Sequence, residues 1–444
     1  MKHRAGHEVY FPDKSTTNPS KSQGFAIMDA TPVDRRRFLS QAGVAALTAG
    51  LGAGCVGRPA GRGAKSESDE NEPLPIAKRP TDKDRKVILI RFGGGVRRRE
   101  TVEFPDQTYC PFLVHELAAK HGVLFNNIDI ENKPGIDTSH GQGTLYLLTG
   151  QYRHYEDIEH QPFADRFVAE SPTIFEYLRG AFNVPEHQAL IVNGEDRINE
   201  EFYTFSNHHL FGVDYRSTVL SLYGFKAFNL RRELAENKSL PDKERAEKEK
   251  KLTEMEKRDY RVKEAKHKEL TSEMAAFWVR WGNYYGRTGF VNPRGDRLLT
   301  ALSLWALREL KPRLMMINYQ DPDYVHWGNP NFYTRAISII DEGIREIYQA
   351  VQSDEYYREQ TMFVVVPDCG RDNNRGMSVP FQHHFNTKSA HDIFAVIAGP
   401  RGILTPGAHP ITRKQQQISV AATIGELMGF PTPEVEAPSL LKVV

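Results

Sequence analysis

Three short stretches of the chain gather side chains that bind metal ions. The first is Asp321-Pro322-Asp323-Tyr324-Val325-His326. The second is Asp368-Cys369-Gly370-Arg371-Asp372, and the third is the pair His383-His384 followed by His391. Carboxylate, neutral imidazole and thiolate are the ligands zinc takes, and an oxygen-richer set suits calcium or manganese. An isolated Asp-x-x-His more often faces solvent than binds an ion. Three such clusters, each beside an apolar run, point to a shared divalent metal site.

The apolar runs are the elements that must position these residues. Residues 87–92, 123–130, 188–192, 314–319, 362–367 and 393–398 are short and apolar, as buried parallel strands are. Helical patterns at 111–121, 172–182, 298–310 and 332–350 separate them. This alternation predicts an α/β fold, a mostly parallel central sheet with helices on both faces. Ligands in such sheets sit at the carboxyl ends of the strands, where the three clusters fall. The folded domain is expected over 86–444. A stretch at about 230–272, dominated by Glu, Lys and Arg with Pro241 in it, predicts an inserted, exposed helical hairpin. Glu247/Lys251 and Glu254/Arg258 there have the i,i+4 spacing of a solvated helix.

The order Asp323-x-x-His326, then Asp368-Cys369-Gly370, then His384 or His391 before Ala398-Gly399-Pro400 resembles the alkaline phosphatase and sulfatase superfamily. Leu147-Leu148-Thr149-Gly150-Gln151-Tyr152 is similar to the end of the sulfatase nucleophile helix. The tail from Val420 to Pro431 resembles the last helix of sulfatases and related phosphodiesterases. Gly93-Gly94-Gly95 and His140-Gly141-Gln142-Gly143 are similar to a branch of twin-arginine-exported sulfatase-like proteins. The resemblance covers 86–444 apart from the charged insert. It implies two cations clamping a phosphoryl or sulfuryl group. Asp323, His326 and His391 would hold one, with His384 the alternate third ligand. Asp368 and Cys369, helped by Glu100, would hold a weaker second.

The chain also departs from that pattern. The superfamily carries a metal-binding Asp directly after the first strand, and here Gly93-Gly94-Gly95 follows it, with Glu100 and Glu103 the nearest acids. The nucleophile position, ten residues before Gly150, is His140, preceded by Ser139. His140 has three readings: metal ligand, nucleophile, or general base serving Ser139 or a water. Arg91, Arg371 and Arg375 are candidates for binding the anionic oxygens. No Cys-x-Pro-Ser-Arg motif is present, which argues against a formylglycine sulfatase.

The 444 residues are 39% hydrophobic and 26% charged, ordinary for a globular enzyme, and the net charge of +1 provides no surplus for nucleic acid. Three cysteines, Cys55, Cys110 and Cys369, are too few for a disulfide framework. Arg35-Arg36-Arg37-Phe38-Leu39-Ser40 precedes small apolar residues at 42–53, a stretch too short to cross a bilayer. Residues 1–55 therefore read as an export signal that resembles the twin-arginine type. Gly52-Ala53-Gly54-Cys55 resembles a lipoprotein cleavage site, which predicts lipidation of Cys55 and membrane anchoring. Residues 56–85, rich in Gly, Pro, Ser and charge, read as a disordered linker. The expectation is an exported, periplasmic or cell-surface hydrolase of phosphate or sulfate esters on small molecules or glycans. Zinc is the expected metal, with manganese or calcium the other candidates. The alternative is a non-catalytic superfamily member acting as a binding or envelope-associated protein.

Overall fold

The computed structural model describes residues 84–153, 155–157, 167–169, 171–194, 211, 213–258, 270–286, 295–326, 329–372, 382–383, 387–400, 404 and 410–443. The expected export signal at 1–55 with Cys55, the expected linker up to residue 83, Arg375 and His384 lie outside the described residues.

The first strand, β1 (Lys86–Phe92), is buried along its whole length. Its side chains alternate between two cores, as the two-residue period of a strand requires. Ile88, Ile90 and Phe92 enter one core, and Val87 and Leu89 the other. A strand covered on both faces reads as a continuous apolar run, which is why Val-Ile-Leu-Ile shows no polar alternation. Each such side chain contributes roughly 2 kcal/mol by leaving water.

Helix α1 opens as a π-helical segment (Phe112–Ala118) and leads into β2 (Gly122–Asp129). Helix α2 is His140–Thr149. A two-stranded antiparallel ribbon, β3 (Tyr155–Asp157) and β4 (Phe167–Ala169), stands apart from the main sheet. Then come α3 (Ile174–Phe182), β5 (Ala189–Asn193), β6 (Thr218–Ser221), α4 (Leu222–Glu236) and α5 (Asp242–Arg258). They are followed by α6 (Ser272–Tyr285), α7 (Asp296–Leu310), β7 (Leu314–Asn318), α8 (Pro330–Ser353) and β8 (Thr361–Pro367). The chain closes with α9 (Lys388–His391), β9 (Asp392–Ala398), β10 (Gln415–Gln416) and α10 (Ser419–Met428).

The main sheet has eight strands in the order β10-β2-β9-β8-β1-β7-β5-β6. Strands β6, β5, β7, β1 and β8 run parallel, and β9 is antiparallel to both β8 and β2. The sheet is mostly parallel with helices on both faces, as the alternation of apolar and helical segments implies. Helices α7 and α8 cover one face, with Leu298, Leu302, Ile337 and Ile344 in the core of Ile88 and Ile90. Helices α2 and α10 cover the other, with Leu147, Leu148 and Ile424 beside Leu89.

Helix α8 shows how local sequence sets an element. Asn329 caps it by accepting from Asn331 N, and Pro330 sits at the first position, where no N–H is needed. Its buried residues Tyr333, Ala336, Ile337, Ile340, Ile344 and Ile347 recur at three- and four-residue spacing. Across the charged segment, α4 and α5 are tied by Arg231–Glu256 at 2.8 Å and Lys248–Glu233 at 2.6 Å. Of the charged insert, residues 259–269 lie outside the described residues. Among the described residues, no helix is long and apolar enough to cross a membrane.

Candidate active site

Strands β8, β1 and β7 are neighbours and parallel, so their carboxyl ends deliver three loops to one edge. Phe92 pairs with Pro367, and Arg91 pairs with Asn318. Asp368 follows β8 directly, and Asp323 lies in a 3-10 turn, Asp321–Tyr324, beyond β7. The chain leaves β1 through Gly94 and Gly95 at φ +80° and +69°, a left-handed conformation that favours glycine. That turn aims Gly95 N at Asp368 Oδ1, 3.3 Å away. Helix α2 reaches the same edge because Gly143 has no side chain. A Cβ there would lie 2.1 Å from the Asp368 carbonyl oxygen.

His140, the first residue of α2, forms the centre. Its Nδ1 is 2.7 Å from Asp368 Oδ2 and its Nε2 is 2.8 Å from Asp323 Oδ1. The same Asp323 oxygen meets His326 Nε2 at 2.7 Å and His383 Nε2 at 3.6 Å. The His140 and His383 rings are 4.1 Å apart by centroid. Among the described residues, two groups have ligand atoms within 4.8 Å of one another: Asp323, His326 and His383, and His140, Cys369 and His383. One carboxylate and two imidazoles match the donor chemistry of a divalent transition metal.

The electrostatics are those of closely opposed charges. Burial works against a charged His140, but the carboxylates of Asp323 and Asp368 outweigh it and hold its pKa well above 6.5. Burial likewise favours neutral carboxyls, yet His140 holds Asp323 far below the usual range, helped by hydrogen bonds from His140, His326 and His383. His140 and then Arg91 overcome burial at Asp368 in the same direction. Burial, and then the Asp368 charge, push the Cys369 thiol up to about 12.

The turn carrying Asp323 is fastened from α7. The buried Asp296 carboxylate accepts from Gln320 N at 2.9 Å and Asp321 N at 2.8 Å, and Asp321 accepts from Asp296 N at 3.1 Å. Gln417 clamps the end of β8, its Nε2 donating to Pro367 O at 3.1 Å and Asp368 O at 2.7 Å. Sequence reasoning missed both. The only trace of Asp296 was an acid after Gly295 at a helix start, and Gln417 left none.

The residues singled out from sequence have diverse placements. Asp323, His326, Asp368, Cys369 and His140 come together. The third ligand in reach is His383, the neighbour of the predicted His384. His391 stands elsewhere: it is buried, its Nδ1 donates to Ile130 O at 2.9 Å, and it belongs to neither ligand group. The reason is local, since Ile130 N also bonds to His391 O, so the residue ties the end of β2 to the start of β9. Glu100 also stands outside both groups and holds Arg97 by two bonds of 2.8 and 2.7 Å. Ser139 caps α2, accepting from Gln142 N at 3.4 Å and donating to Asp137 Oδ1 at 2.7 Å. Arg371 donates to the carbonyls of Gly94, Gly95, Pro322 and Val325, so it braces the loops from β1 and β7 from beneath. Arg91 donates to Thr144 Oγ1 at 2.5 Å and lies 3.4 Å from Asp368.

No family model matches the sequence, and no curated protein matches it. Solved structures do. A protein in the alkaline phosphatase superfamily from Vibrio parahaemolyticus is 12% identical, with 82% of this chain and 71% of that one covered and a TM-score of 0.47. A lipoteichoic acid synthase from Listeria monocytogenes is 11% identical, with coverage of 82% and 75% and a TM-score of 0.47. The soluble domain of a lipooligosaccharide phosphoethanolamine transferase from Neisseria meningitidis is 12% identical, with coverage of 80% and 91% and a TM-score of 0.45.

Proposed function

We propose that the chain is a metal-dependent hydrolase of phosphate or sulfate esters in the alkaline phosphatase superfamily. The observation that carries this reading is the single Asp323 oxygen faced by His140, His326 and His383, with Asp368 behind His140. Asp323, His326 and His383 are the residues that would hold the ion, zinc by the nature of its two imidazoles. The bound cation supplies Lewis-acid polarisation of a phosphoryl or sulfuryl oxygen. The chain's own residues do the rest. Asp368 accepts from His140 Nδ1 and fixes the ring orientation, as an orienting carboxylate does for a catalytic histidine. The N-terminus of α2 brings its positive dipole end to where the anionic ester would lie. Held charged between Asp323 and Asp368, His140 offers its Nε2–H as the general acid that protonates the leaving oxygen of the ester. The substrates are small-molecule or glycan esters.

A panel of chromogenic phosphomonoesters, phosphodiesters and sulfate esters, assayed with zinc, manganese and calcium, tests the reading. His326→Ala is expected to lose metal and turnover together. His140→Ala is expected to keep the metal and lose about 10²- to 10⁴-fold in rate, the span of general acid–base catalysis. If the wild-type chain cleaves no ester with any of these ions, the non-catalytic binding reading replaces this one.

A further inference from the structure

We infer that Arg91 is a built-in cation for the second carboxylate of the site, so that the chain binds one divalent ion and not two. The inference rests on the reading of Asp323, His326 and His383 as the ion's ligands.

Asp368 has one acceptor position left, and Arg91 stands over it. Its Oδ1 accepts from Gly95 N at 3.3 Å and Cys369 N at 2.8 Å. Its Oδ2 faces His140 Nδ1 at 2.7 Å and Arg91 Nη1 at 3.4 Å. A carboxylate offers about four lone-pair sites; three N–H groups fill three of them, and Arg91 Nη1, which donates to Thr144 Oγ1 and the His140 carbonyl, sets its charge against the fourth. Two of those donors are backbone amides fixed by the turn after β1 and by the end of β8, so they cannot swing away.

The charge beside Asp368 is equally fixed. Arg91 is on β1 itself, 2% exposed, against an Asp368 that is fully buried. Its guanidinium is pinned by Thr144 Oγ1 at 2.5 Å and Tyr319 O at 3.4 Å. Its guanidinium carries a positive charge against the Asp368 carboxylate. A second divalent ion on Asp368 would stand against it where little water screens the repulsion. β1 delivers no carboxylate to this edge that would favour such an ion.

His383 narrows what a second ion could use. Both candidate ligand groups include it. Its Nδ1 is 3.0 Å from the Thr138 carbonyl, which requires the N–H there, and its Nε2 faces Asp323. One imidazole nitrogen serves one ion. Cys369 and His140 therefore cannot draw on His383 while Asp323 and His326 use it, and among the described residues a second ion is left with Asp368, Cys369 and His140, the set that Arg91 guards.

Metal content decides the matter. Purified chain is saturated with zinc, freed of excess ion, and measured by plasma mass spectrometry and native mass spectrometry. The expected result is one zinc per chain in wild type and none in His326→Ala. Two ions held by wild type would overturn the inference and leave the metal-dependent hydrolase standing. No ion in wild type would sink both. Arg91→Ala is expected to admit a second, weaker zinc, and Arg91→Lys to stay at one. A folded Arg91→Ala chain that still binds only one ion would remove Arg91 from the explanation. Should that variant not fold, the wild-type count alone decides the number of ions.

Discussion

Asp341 illustrates how far a single buried side chain can depart from its solution chemistry. It lies on the buried face of α8, and its carboxylate accepts from Phe112 N at 2.9 Å and Leu113 N at 2.8 Å. It thereby satisfies two amides at the start of α1 that have no partner within the helix. Burial raises its pKa to about 6, and those two amide bonds, which favour the charged form, offset burial only in part. Because the folded value lies above the unfolded value of 3.8, the folded chain holds the proton more tightly. The stabilisation from this group is full below about pH 4 and is lost as pH rises through about 6, a change of roughly 2–3 kcal/mol. Urea unfolding of wild type and Asp341→Asn between pH 4 and 7 checks this. The difference between their stabilities should vary with pH across that window, and a constant difference would contradict it. Within the site the same physics runs the other way, since paired opposite charges at Asp323, Asp368 and His140 hold each other ionised.

At the scale of elements, the site depends on helix α2 lying against the end of β8. Gly143 makes that approach possible. Replacing a helical glycine by alanine ordinarily stabilises a helix by about 0.5–1 kcal/mol. Here the new methyl would meet the Asp368 carbonyl at 2.1 Å, and that atom is backbone, held by Gln417. Overpacking of this kind costs about 1–3 kcal/mol, so the clash outweighs the propensity gain. Gly143→Ala is expected to lower the urea midpoint and to cut turnover at saturating metal, because His140 moves with α2. A more stable Gly143→Ala protein with normal turnover would show that α2 has room to spare. The turn Asp321–Tyr324 depends on its neighbours in the same way, through Asp296 on α7 and Arg371 after β8.

At the scale of the whole molecule, the central strands come from distant parts of the chain. Lys86 of β1 pairs with Thr361 of β8, and Val87 with Leu314 of β7. The site cannot exist until those pairings form, so export as a folded protein suits this architecture. We propose that Arg35 and Arg36 belong to a twin-arginine signal that carries the folded chain across the membrane, and that Cys55 then receives a lipid. Changing both arginines to Lys should leave precursor in the cytoplasm. Cys55→Ser should move the exported protein from membrane to soluble fractions. Normal export of the first variant, or unchanged fractionation of the second, would remove the corresponding half of the proposal.

The sequence by itself determined the layered α/β architecture, because buried parallel strands and the helices that cover them differ in length and period. All six apolar runs from residue 87 onward are strands of the main sheet. The short strands β6 and β10 escaped, since four and two residues carry too little pattern. The sequence also marked Asp323, His326, Asp368 and His140, because each stands directly after a strand or at the head of a helix. It did not decide which histidine completes the group. His383, His384 and His391 are chemically alike and close in sequence, and only the packing of their loop sends His383 toward Asp323 while His391 ties β2 to β9. Nor did it show that Arg91, Asp296 and Gln417 hold the site together. Their partners are backbone and side-chain atoms that become neighbours only when β1, β7 and β8 lie side by side.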